Sequence, residues 1–452
     1  FDSQTNRADI LWSLTGPRGV EKTESQLNLG DSPSGSTVYS VPAGTYRLTV
    51  RGTGSATGAY AFRLLDAAAG STLTIGTALT GTLTPGSATQ LYRVTVAAGD
   101  RLAFTSSSVT GGAATWRLID AYGRDKAGQN DLATNKPAFL LTTPGTYTLV
   151  LEGRLTNTTP VEFNVIFSFV DNIPQPALPA GDPLALNTVV ADTLATTGAM
   201  KVYRFTLAQD SMLVMDSQTN SSAFTWSLTG PRGSEVNALG LYTSDAQYAN
   251  PALTLVAGDY ALTVTASSGT GGFAFQLLDT ANFPELTLGQ QIDAVRSPSN
   301  STLGYRFTAS AGDSFRLNQA LGDGFWRVLD PFGKVVTAQY YYNLGNTTVP
   351  ALVAGTYTLI NEGSYYQTGN TSIRFRLDQQ VKQVAALVLN DVGSGQLAGG
   401  HEQHAYTFTL SAPTTFTLDR LESPTTRADS IFYQLTDSVG NIRNVYGREV
   451  VT

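Results

Sequence analysis

The sequence predicts an all-β fold, a tandem array of antiparallel β-sandwich domains (jelly-roll-like or immunoglobulin-like) of about 105 residues each. Apolar and polar residues alternate in many short stretches, such as TYRLTV at 45–50 and YRFTLA at 203–208, as in half-buried strands. Glycine is abundant, with 44 residues, which suits the turns between short strands. The tryptophans recur at steps of about 100 to 110 residues, at Trp12, Trp116, Trp226 and Trp326.

Each repeat contains the same elements in the same order. We expect an opening strand with the pattern Leu-x-Leu/Ile-Gly/Asn, at 73–76, 184–187, 286–289 and 387–390. A strand with a central tyrosine follows, then an Ala-Gly-Asp type of turn, the tryptophan strand and a tight turn. A strand that begins Gly-Thr/Asp-Tyr and a closing aromatic strand complete the repeat. Seven or so short strands in about 105 residues are typical of an antiparallel β-sandwich.

This recurrence divides the chain into five repeats, which we number along the sequence. Alternate repeats are the most alike: WSLTGPRG occurs at 12–19 and 226–233, and DSQTN at 2–6 and 216–220. We therefore expect a partial type A repeat at 1–70, a type B repeat at 71–180, a type A repeat at 181–283, a type B repeat at 284–384 and a partial repeat at 385–452. Because the chain begins at Phe1 inside a repeat, we expect it to be cut from a longer polypeptide.

The tight turn after the tryptophan strand has two chemical solutions. In WSLTGPRG, proline presets φ and glycine permits positive φ, so the octapeptide is interpreted as a strand end and a turn kept for folding. In three repeats the turn is Asp-x-x-Gly, where the Asp side chain caps backbone N–H groups. These structural turns are Asp120 to Gly123, Asp330 to Gly333 and Asp437 to Gly440.

The tryptophan position is predicted to lie in the core of every repeat. A place that recurs once per repeat favours packing over ligand binding. The next step of the same length lands on Tyr433 in IFYQLTDSVG. The predicted core positions are Trp12, Trp116, Trp226, Trp326 and Tyr433.

Composition excludes several classes of function. The 452 residues include no cysteine, so disulfides and thiolate metal sites are excluded. The chain has a net charge of −7, so it lacks the excess of basic residues that is typical of a nucleic-acid-binding protein. No apolar run is long enough to span a membrane in this window. A cysteine-free, multi-domain chain is compatible with secretion from a bacterium.

The sequence offers no catalytic or metal-binding residues. The only two histidines lie in HEQH at 401–404, where the spacing is not that of a zinc protease helix, and a loop is expected. Because no histidine precedes residue 401, a Ser-His pair in the first 400 residues is excluded. We predict that the chain is not an enzyme and has no cofactor.

Two tyrosine-rich stretches in repeat 4 are candidates for a binding or assembly surface. They are QYYYN at 339–343 and SYYQ at 364–367, on either side of the Gly-Thr-Tyr strand. Exposed tyrosines can stack on sugars or anchor a protein interface, although packing within or between domains is the simpler interpretation. The candidate residues are Tyr340, Tyr341, Tyr342, Tyr365 and Tyr366.

The order of these motifs resembles the bacterial pre-peptidase C-terminal (PPC) domain. The likeness is carried by the Tyr strand, the AGD turn, the tryptophan strand with Asp-x-x-Gly, and the AGTY strand, and it covers nearly the whole chain. It implies jelly-roll-like sandwiches of a secreted or cell-surface protein. Some members of that family bind calcium near the domain start. Calcium is therefore a possible ligand, but no clear motif supports it here.

We predict that the chain is a structural or adhesive repeat region of a large extracellular bacterial surface protein, forming a stalk, fibre or filament. Its partners would be neighbouring copies of itself, other surface or matrix components, or glycans. Two alternatives stay open: a carbohydrate- or matrix-binding module, and accessory domains of a secreted enzyme.

Overall fold

The structure is a computed structural model that describes residues 1–30, 38–243, 252–342, 348–380, 382–396, 403–412, 414–418, 433–436, 442–445 and 450–451. These residues form two units, Phe1–Gln379 and Gln380–Thr452. Within the described ranges, regular structure consists of β-strands and 3-10 turns. No helix there is long and apolar enough to cross a membrane.

The described residues of repeat 1 form five strands and two 3-10 turns. Three of the strands form one sheet in the order β3-β2-β4, and β1 pairs with β5. The 3-10 turns are Leu27–Leu29 and Ala67–Ala69. The strands are β1 Asp2–Ser3, β2 Ile10–Gly16, β3 Gly19–Gln26, β4 Arg47–Gly52 and β5 Phe62–Arg63.

Repeat 2 forms two facing sheets, in the orders β11-β10-β13-β8-β6 and β12-β9-β14-β7. All pairs are antiparallel except the edge pair of β6 with β8. The strands are β6 Ser71–Thr72, β7 Ala78–Leu83, β8 Thr89–Val96, β9 Asp100–Thr110, β10 Ala114–Ile119, β11 Asn130–Asp131, β12 Lys136–Leu141, β13 Gly145–Gly153 and β14 Val161–Asn172.

Repeat 3 has the same strand order, β15-β17-β22-β19-β20 and β16-β23-β18-β21. Its 3-10 turns are Leu241–Thr243 and Thr280–Asn282. The strands are β15 Asp182–Pro183, β16 Val190–Leu194, β17 Met200–Leu207, β18 Ser211–Ser217, β19 Phe224–Gly230, β20 Gly233–Gly240, β21 Ala252–Leu255, β22 Gly258–Ala266 and β23 Gly271–Asp279.

Repeat 4 follows the same plan, with sheets β25-β30-β27-β28 and β24-β31-β26-β29. Tyr341 and Tyr342 begin a 3-10 turn directly after β28. The strands are β24 Gln291–Arg296, β25 Thr302–Ala309, β26 Ser314–Leu321, β27 Phe325–Leu329, β28 Val335–Tyr340, β29 Thr348–Pro350, β30 Gly355–Glu362 and β31 Thr371–Gln379.

The second unit contains three strand pairs among its described residues. Strand β32 pairs with β33 in parallel, whereas β34 with β37 and β35 with β36 are antiparallel. The strands are β32 Lys382–Ala386, β33 Gln403–Thr407, β34 Phe416–Thr417, β35 Tyr433–Thr436, β36 Ile442–Val445 and β37 Val450–Val451.

A hydrophobic cluster lies between the two sheets of repeats 2, 3 and 4, and each cluster contains the tryptophan. Trp116, Trp226 and Trp326 are at most 2% exposed, because alternation along their strands turns them toward the opposite sheet. Trp12 is equally buried in a smaller cluster with Ile10, Leu14 and Leu27. The chain is therefore an all-β protein whose antiparallel sheets pair into β-sandwich-like units.

The predicted opening strands are wrong. In repeat 2 the strand ends at Thr72, and 73–76 is a turn in which Leu73 is buried. The last position of the pattern has a left-handed backbone, with φ of 84° at Gly76, 60° at Asn187, 77° at Gly289 and 73° at Asn390. Glycine and asparagine tolerate that conformation best, which explains why the pattern ends in one of them.

Candidate functional site: inter-repeat contacts and a tyrosine surface

The repeated WSLTGPRG turn is shaped by a tyrosine at the start of the neighbouring strand, directly before β4 in repeat 1 and within β22 in repeat 3. A Cβ atom on Gly16 would lie 2.2 Å from Cε1 of Tyr46, and one on Gly230 would lie 2.1 Å from Cε1 of Tyr260. The first glycine of TGPRG is therefore required by the close approach of the tyrosine ring. Its last glycine, at 19 and 233, has positive φ, as the sequence predicts.

These tyrosines also close the loop in front of their own strand. In each of the first four repeats the hydroxyl donates to the carbonyl four residues upstream, which ties the strand to its preceding turn. Burial, with the Glu235 charge nearby, raises the pKa of Tyr260 to about 12, so the hydroxyl stays a donor. The pairs are Tyr46 to Pro42, Tyr147 to Thr143 at 2.8 Å, Tyr260 to Val256 at 2.6 Å and Tyr357 to Val353 at 2.8 Å.

The arginine of each type A turn is held by an ion pair and a backbone carbonyl. Arg18 lies 2.6 Å from Glu21 and donates to the carbonyl of Ser40 at 2.8 Å. Arg232 lies 2.8 Å from Glu235 and donates to the carbonyl of Thr254 at 2.7 Å. The two type A turns thus share one side-chain arrangement.

The Asp-x-x-Gly turns of the type B repeats have the predicted cap. The carboxylate of Asp120 accepts from the N–H groups of Tyr122 and Arg124 at 2.9 Å. Asp330 accepts from Phe332 and Lys334 at the same distance. The backbone bond from Gly to Asp is 3.0 Å in both turns.

The turns of different repeats meet each other. Nη1 of Arg124, in repeat 2, donates to the carbonyl of Arg232, in repeat 3. The hydrogen bond to Glu21 raises the pKa of Arg18, and the charge of Asp330, in repeat 4, adds to this effect. A Cβ atom on Gly333 would lie 3.1 Å from Sδ of Met212. The octapeptide turn is therefore also a contact between repeats, which the sequence did not indicate.

A buried carboxylate from the DSQTN segment joins each type A repeat to the next type B repeat. The Thr302 hydroxyl donates to Oδ1 of Asp216 at 3.1 Å, and Gln276 and Gln218 donate to Oδ2 at 2.6 and 3.1 Å. Asp216 is 0% exposed. Burial raises the pKa of Asp216, and hydrogen bonds from Gln276, Gln218 and both the side chain and the backbone of Thr302 oppose that rise.

The same arrangement recurs between repeats 1 and 2. The Thr89 hydroxyl donates to Oδ1 of Asp2 at 3.1 Å, and Arg63 lies 2.7 Å from Oδ2. Nη2 of Arg63 also donates to the carbonyl of Thr89 at 2.8 Å. In the sequence, DSQTN indicates the A-B period but not a junction. Its exact duplication was the signal that could have marked Asp2 and Asp216 as junction residues.

Apolar and charged residues cover the same boundary between repeats 3 and 4. Val214 and Leu278 of repeat 3 cluster with Leu329 and Ile360 of repeat 4 and with Phe283. Leu329 alternates with the core residues of β27, so it lies on the outer face of that sheet. The ion pairs Arg327–Glu362 at 3.1 Å and Arg117–Glu152 at 3.2 Å are buried in the corresponding strands of repeats 4 and 2.

The candidate tyrosines form two groups in repeat 4. Tyr340 and Tyr342 stack in parallel with ring centroids 5.3 Å apart, and Tyr341 meets Tyr342 edge-on at 5.4 Å. Tyr365 and Tyr366 meet edge-on at 5.3 Å. Tyr341, Tyr342 and Tyr366 are 42%, 65% and 59% exposed. We call these five residues the tyrosine surface.

Other predicted residues lie partly outside the described residues. Tyr433 is in β35, but its side chain is not described, and Asp437, Gly440 and His401 fall in undescribed segments. His404 lies in strand β33 rather than in a loop. Within the part of the chain that the structure describes, no group of three or more His, Cys, Asp or Glu residues is placed to hold a metal ion.

Comparison with known proteins finds no matching family but does find solved structures of low similarity. No protein-family model matches the chain, and no curated protein matches it. One similar solved structure is the M60 catalytic domain with two CBM51 domains of ZmpB from Clostridium perfringens, at 10% identity and a TM-score of 0.15. That match covers 66% of this chain, which spans about a third (34%) of that structure. A second is the lipid-containing bacteriophage PM2, at 8% identity and a TM-score of 0.10, covering 64% of this chain and 100% of that one. At these TM-scores neither likeness bears on fold or function.

Proposed function

We propose that this chain is a structural or adhesive region of a large extracellular bacterial protein, a tandem array of PPC-like β-sandwich domains that forms a surface stalk, fibre or filament. Each repeat would be one domain, with the boundaries predicted from the sequence. The pair of a type A and a type B domain would be the building block. No catalytic step is assigned to the chain.

The observation that carries this proposal is the pair of matched junctions. Asp2 with Thr89 and Asp216 with Thr302 form the same buried hydrogen bond between successive repeats. A buried carboxylate needs every partner in place, because an unsatisfied one is costly. Such junctions favour a fixed angle between domains, which a load-bearing or projecting element needs and a flexible linker would not provide.

The contacts between turns support the same function. The type A and type B turns bring together residues that are far apart in sequence, such as Arg124 and Arg232. A structure whose stability includes interfaces between repeats resists bending at those interfaces. The WSLTGPRG octapeptide would then be duplicated because it forms the tight turn of its own repeat and also contacts another repeat.

The test is the distance distribution between spin labels across the junction of repeats 3 and 4. Because the chain has no cysteine, Val189→Cys and Val295→Cys at exposed positions give two unique labels. We expect one narrow distribution, which Thr302→Val broadens. Thr308→Val, at an exposed position of the same strand, is the matched control and should leave it narrow.

A broad distance distribution in the chain that carries only the two labelled cysteines would contradict a fixed junction. It would also contradict the structural role that depends on that junction. Electron microscopy of the extracellular material from the source organism extends the test. Polymers or projections with regular subunit contacts would support a stalk or fibre, and their absence would contradict it.

A further inference from the structure

We propose that the tyrosine surface of repeat 4 is a binding site for a neutral oligosaccharide. The sugar would stack its apolar C–H face on the exposed rings of Tyr342 and Tyr366 and donate hydroxyl hydrogen bonds to Asp323. This inference goes beyond the structural role and is independent of it.

Packing does not explain why these tyrosines stand where they do. In repeats 1 and 3 the 3-10 turn after the corresponding strand begins with Leu27 and Leu241, and both are 0% exposed. In repeat 4 the same place begins with Tyr341, which is 42% exposed, followed by Tyr342 at 65%. The first position of this turn can fill the core with leucine, so the fold does not require the exposed ring of Tyr341 there.

The rings are held in place before any ligand arrives. Tyr342 stacks on Tyr340 at an interplanar angle of 5°, and Tyr340 rests edge-on against Phe325 at 5.0 Å. Tyr366 is braced by Tyr365, which also meets Tyr242 of repeat 3 edge-on at 5.4 Å. Because little ring motion is lost on binding, the entropic cost of stacking a ligand is small.

A fixed carboxylate connects the two tyrosine groups. The N–H of Tyr341 donates to the carbonyl of Gly324 at 3.1 Å, which places the turn beside Asp323. Nε2 of Gln367, the residue after Tyr366, donates to Oδ2 of Asp323 at 2.5 Å, and Arg296 donates to Oδ1. The Asp323 side chain is 33% exposed, so it keeps acceptor capacity that faces solvent.

This combination suits a sugar better than a protein partner. A pyranose presents C–H groups with partial positive charge on one face, which complements the negative face of an aromatic ring. Its hydroxyls around the rim match a few fixed acceptors beside an apolar platform. Charged residues are depleted at the centre of a protein interface, whereas this surface has the partly exposed carboxylate of Asp323 beside its tyrosines. Asp323 and a net charge of −7 disfavour acidic glycans.

The experiment is a glycan array with the intact chain, followed by calorimetric titration of the best neutral oligosaccharide. We expect Tyr342→Ala and Tyr366→Ala each to weaken binding by about tenfold, the size of one lost aromatic contact. Asp323→Asn should weaken it less, because an amide oxygen still accepts. Tyr60→Ala removes a tyrosine in repeat 1 that is 52% exposed and should leave binding unchanged.

Three outcomes would overturn the proposal: no neutral glycan binds, binding survives both tyrosine variants, or only acidic glycans bind. Protection of Tyr342 and Tyr366 by a protein partner, with no glycan bound, would also overturn it and assign the surface to a protein. Unchanged melting curves for the variants show that any loss of binding is not a loss of fold. The junction measurement does not involve these residues, so either proposal can fail alone.

Discussion

The junction between repeats 1 and 2 and the junction between repeats 3 and 4 use the same carboxylate in different electrostatic settings. Asp2 forms an ion pair with Arg63, whereas Gln276 occupies the corresponding place beside Asp216. Both carboxylates accept from a threonine of the next repeat at 3.1 Å. The geometry of the junction is therefore preserved, whereas its dependence on charge is not.

Removing the carboxylate should have the largest effect and should separate the two junctions. We expect Asp216→Ala to cost about 3 kcal/mol, because it leaves three donors at a buried site without their acceptor. Asp2→Ala should cost about half as much, since the Arg63 side chain is 42% exposed and can reach water. Hydrogen exchange of the intact chain, followed in β18 and β25 or in β1 and β8, measures both.

Asp259→Ala, at an exposed aspartate of repeat 3, is the control and should change exchange in neither pair of strands. Equal losses of protection at the two junctions would mean that the neighbouring side chain, arginine or glutamine, does not matter.

Supplying a cation in direct contact with Asp216, in addition to the more distant charge of Arg296, should alter the pH dependence of the junction of repeats 3 and 4. Burial raises the pKa of Asp216 in the folded chain, so the folded state binds a proton more tightly than the unfolded state. The contribution to stability is complete below the unfolded pKa of about 3.9 and is lost as the pH rises through the folded pKa. Gln276→Arg should lower that pKa and reduce the loss by about 1 kcal/mol, or nearly one pKa unit.

Hydrogen exchange in β18 and β25 across this pH range, corrected for the intrinsic exchange rate, is the measurement for Gln276→Arg. Asp216→Asn cannot titrate at this position, so its pH profile gives the pH dependence that all other titrating groups contribute. Parallel pH profiles for Gln276→Arg and the unchanged chain would show that the glutamine does not set the charge state of Asp216.

Removing the threonine hydroxyl should have the smallest effect and should be alike at the two junctions. Thr89→Val and Thr302→Val each remove one hydrogen bond and keep the shape, so we expect a loss of about 1 kcal/mol at either place. Chemical denaturation followed by local exchange in β8 and β25 checks this. A loss confined to one junction would break the equivalence of the two pairs.

The part of the fold that could be predicted rests on local patterns. Trp116 and Trp226 are buried because strict alternation puts them on one face of a strand, and alternation is visible in sequence. The Asp120 turn could be predicted because its cap joins residues two and four positions apart. The opening strands were predicted wrongly because Leu-x-Leu-Gly has strand-like apolar spacing, while its left-handed last residue is visible only in the backbone.

The candidate site was predictable only in part. The tyrosine surface could be predicted because five tyrosines in two short stretches are conspicuous by residue type, and three of them, Tyr341, Tyr342 and Tyr366, are exposed. Its connection through Asp323 was missed, since Gln367 is 44 residues away from it. The junction carboxylates were missed for the same reason: Thr89 is 87 residues from Asp2, and Thr302 is 86 from Asp216.

The sequence by itself determined the all-β class, the recurring order of elements and the A-B alternation, because each depends on residue spacing within a strand or a turn. Only the tertiary structure decided which polar groups are buried and which repeats touch. Whether Asp216 costs or contributes free energy depends on the water removed by a neighbouring repeat and on the donors that repeat supplies. That balance is set by residues far apart in the chain, and no local pattern encodes it.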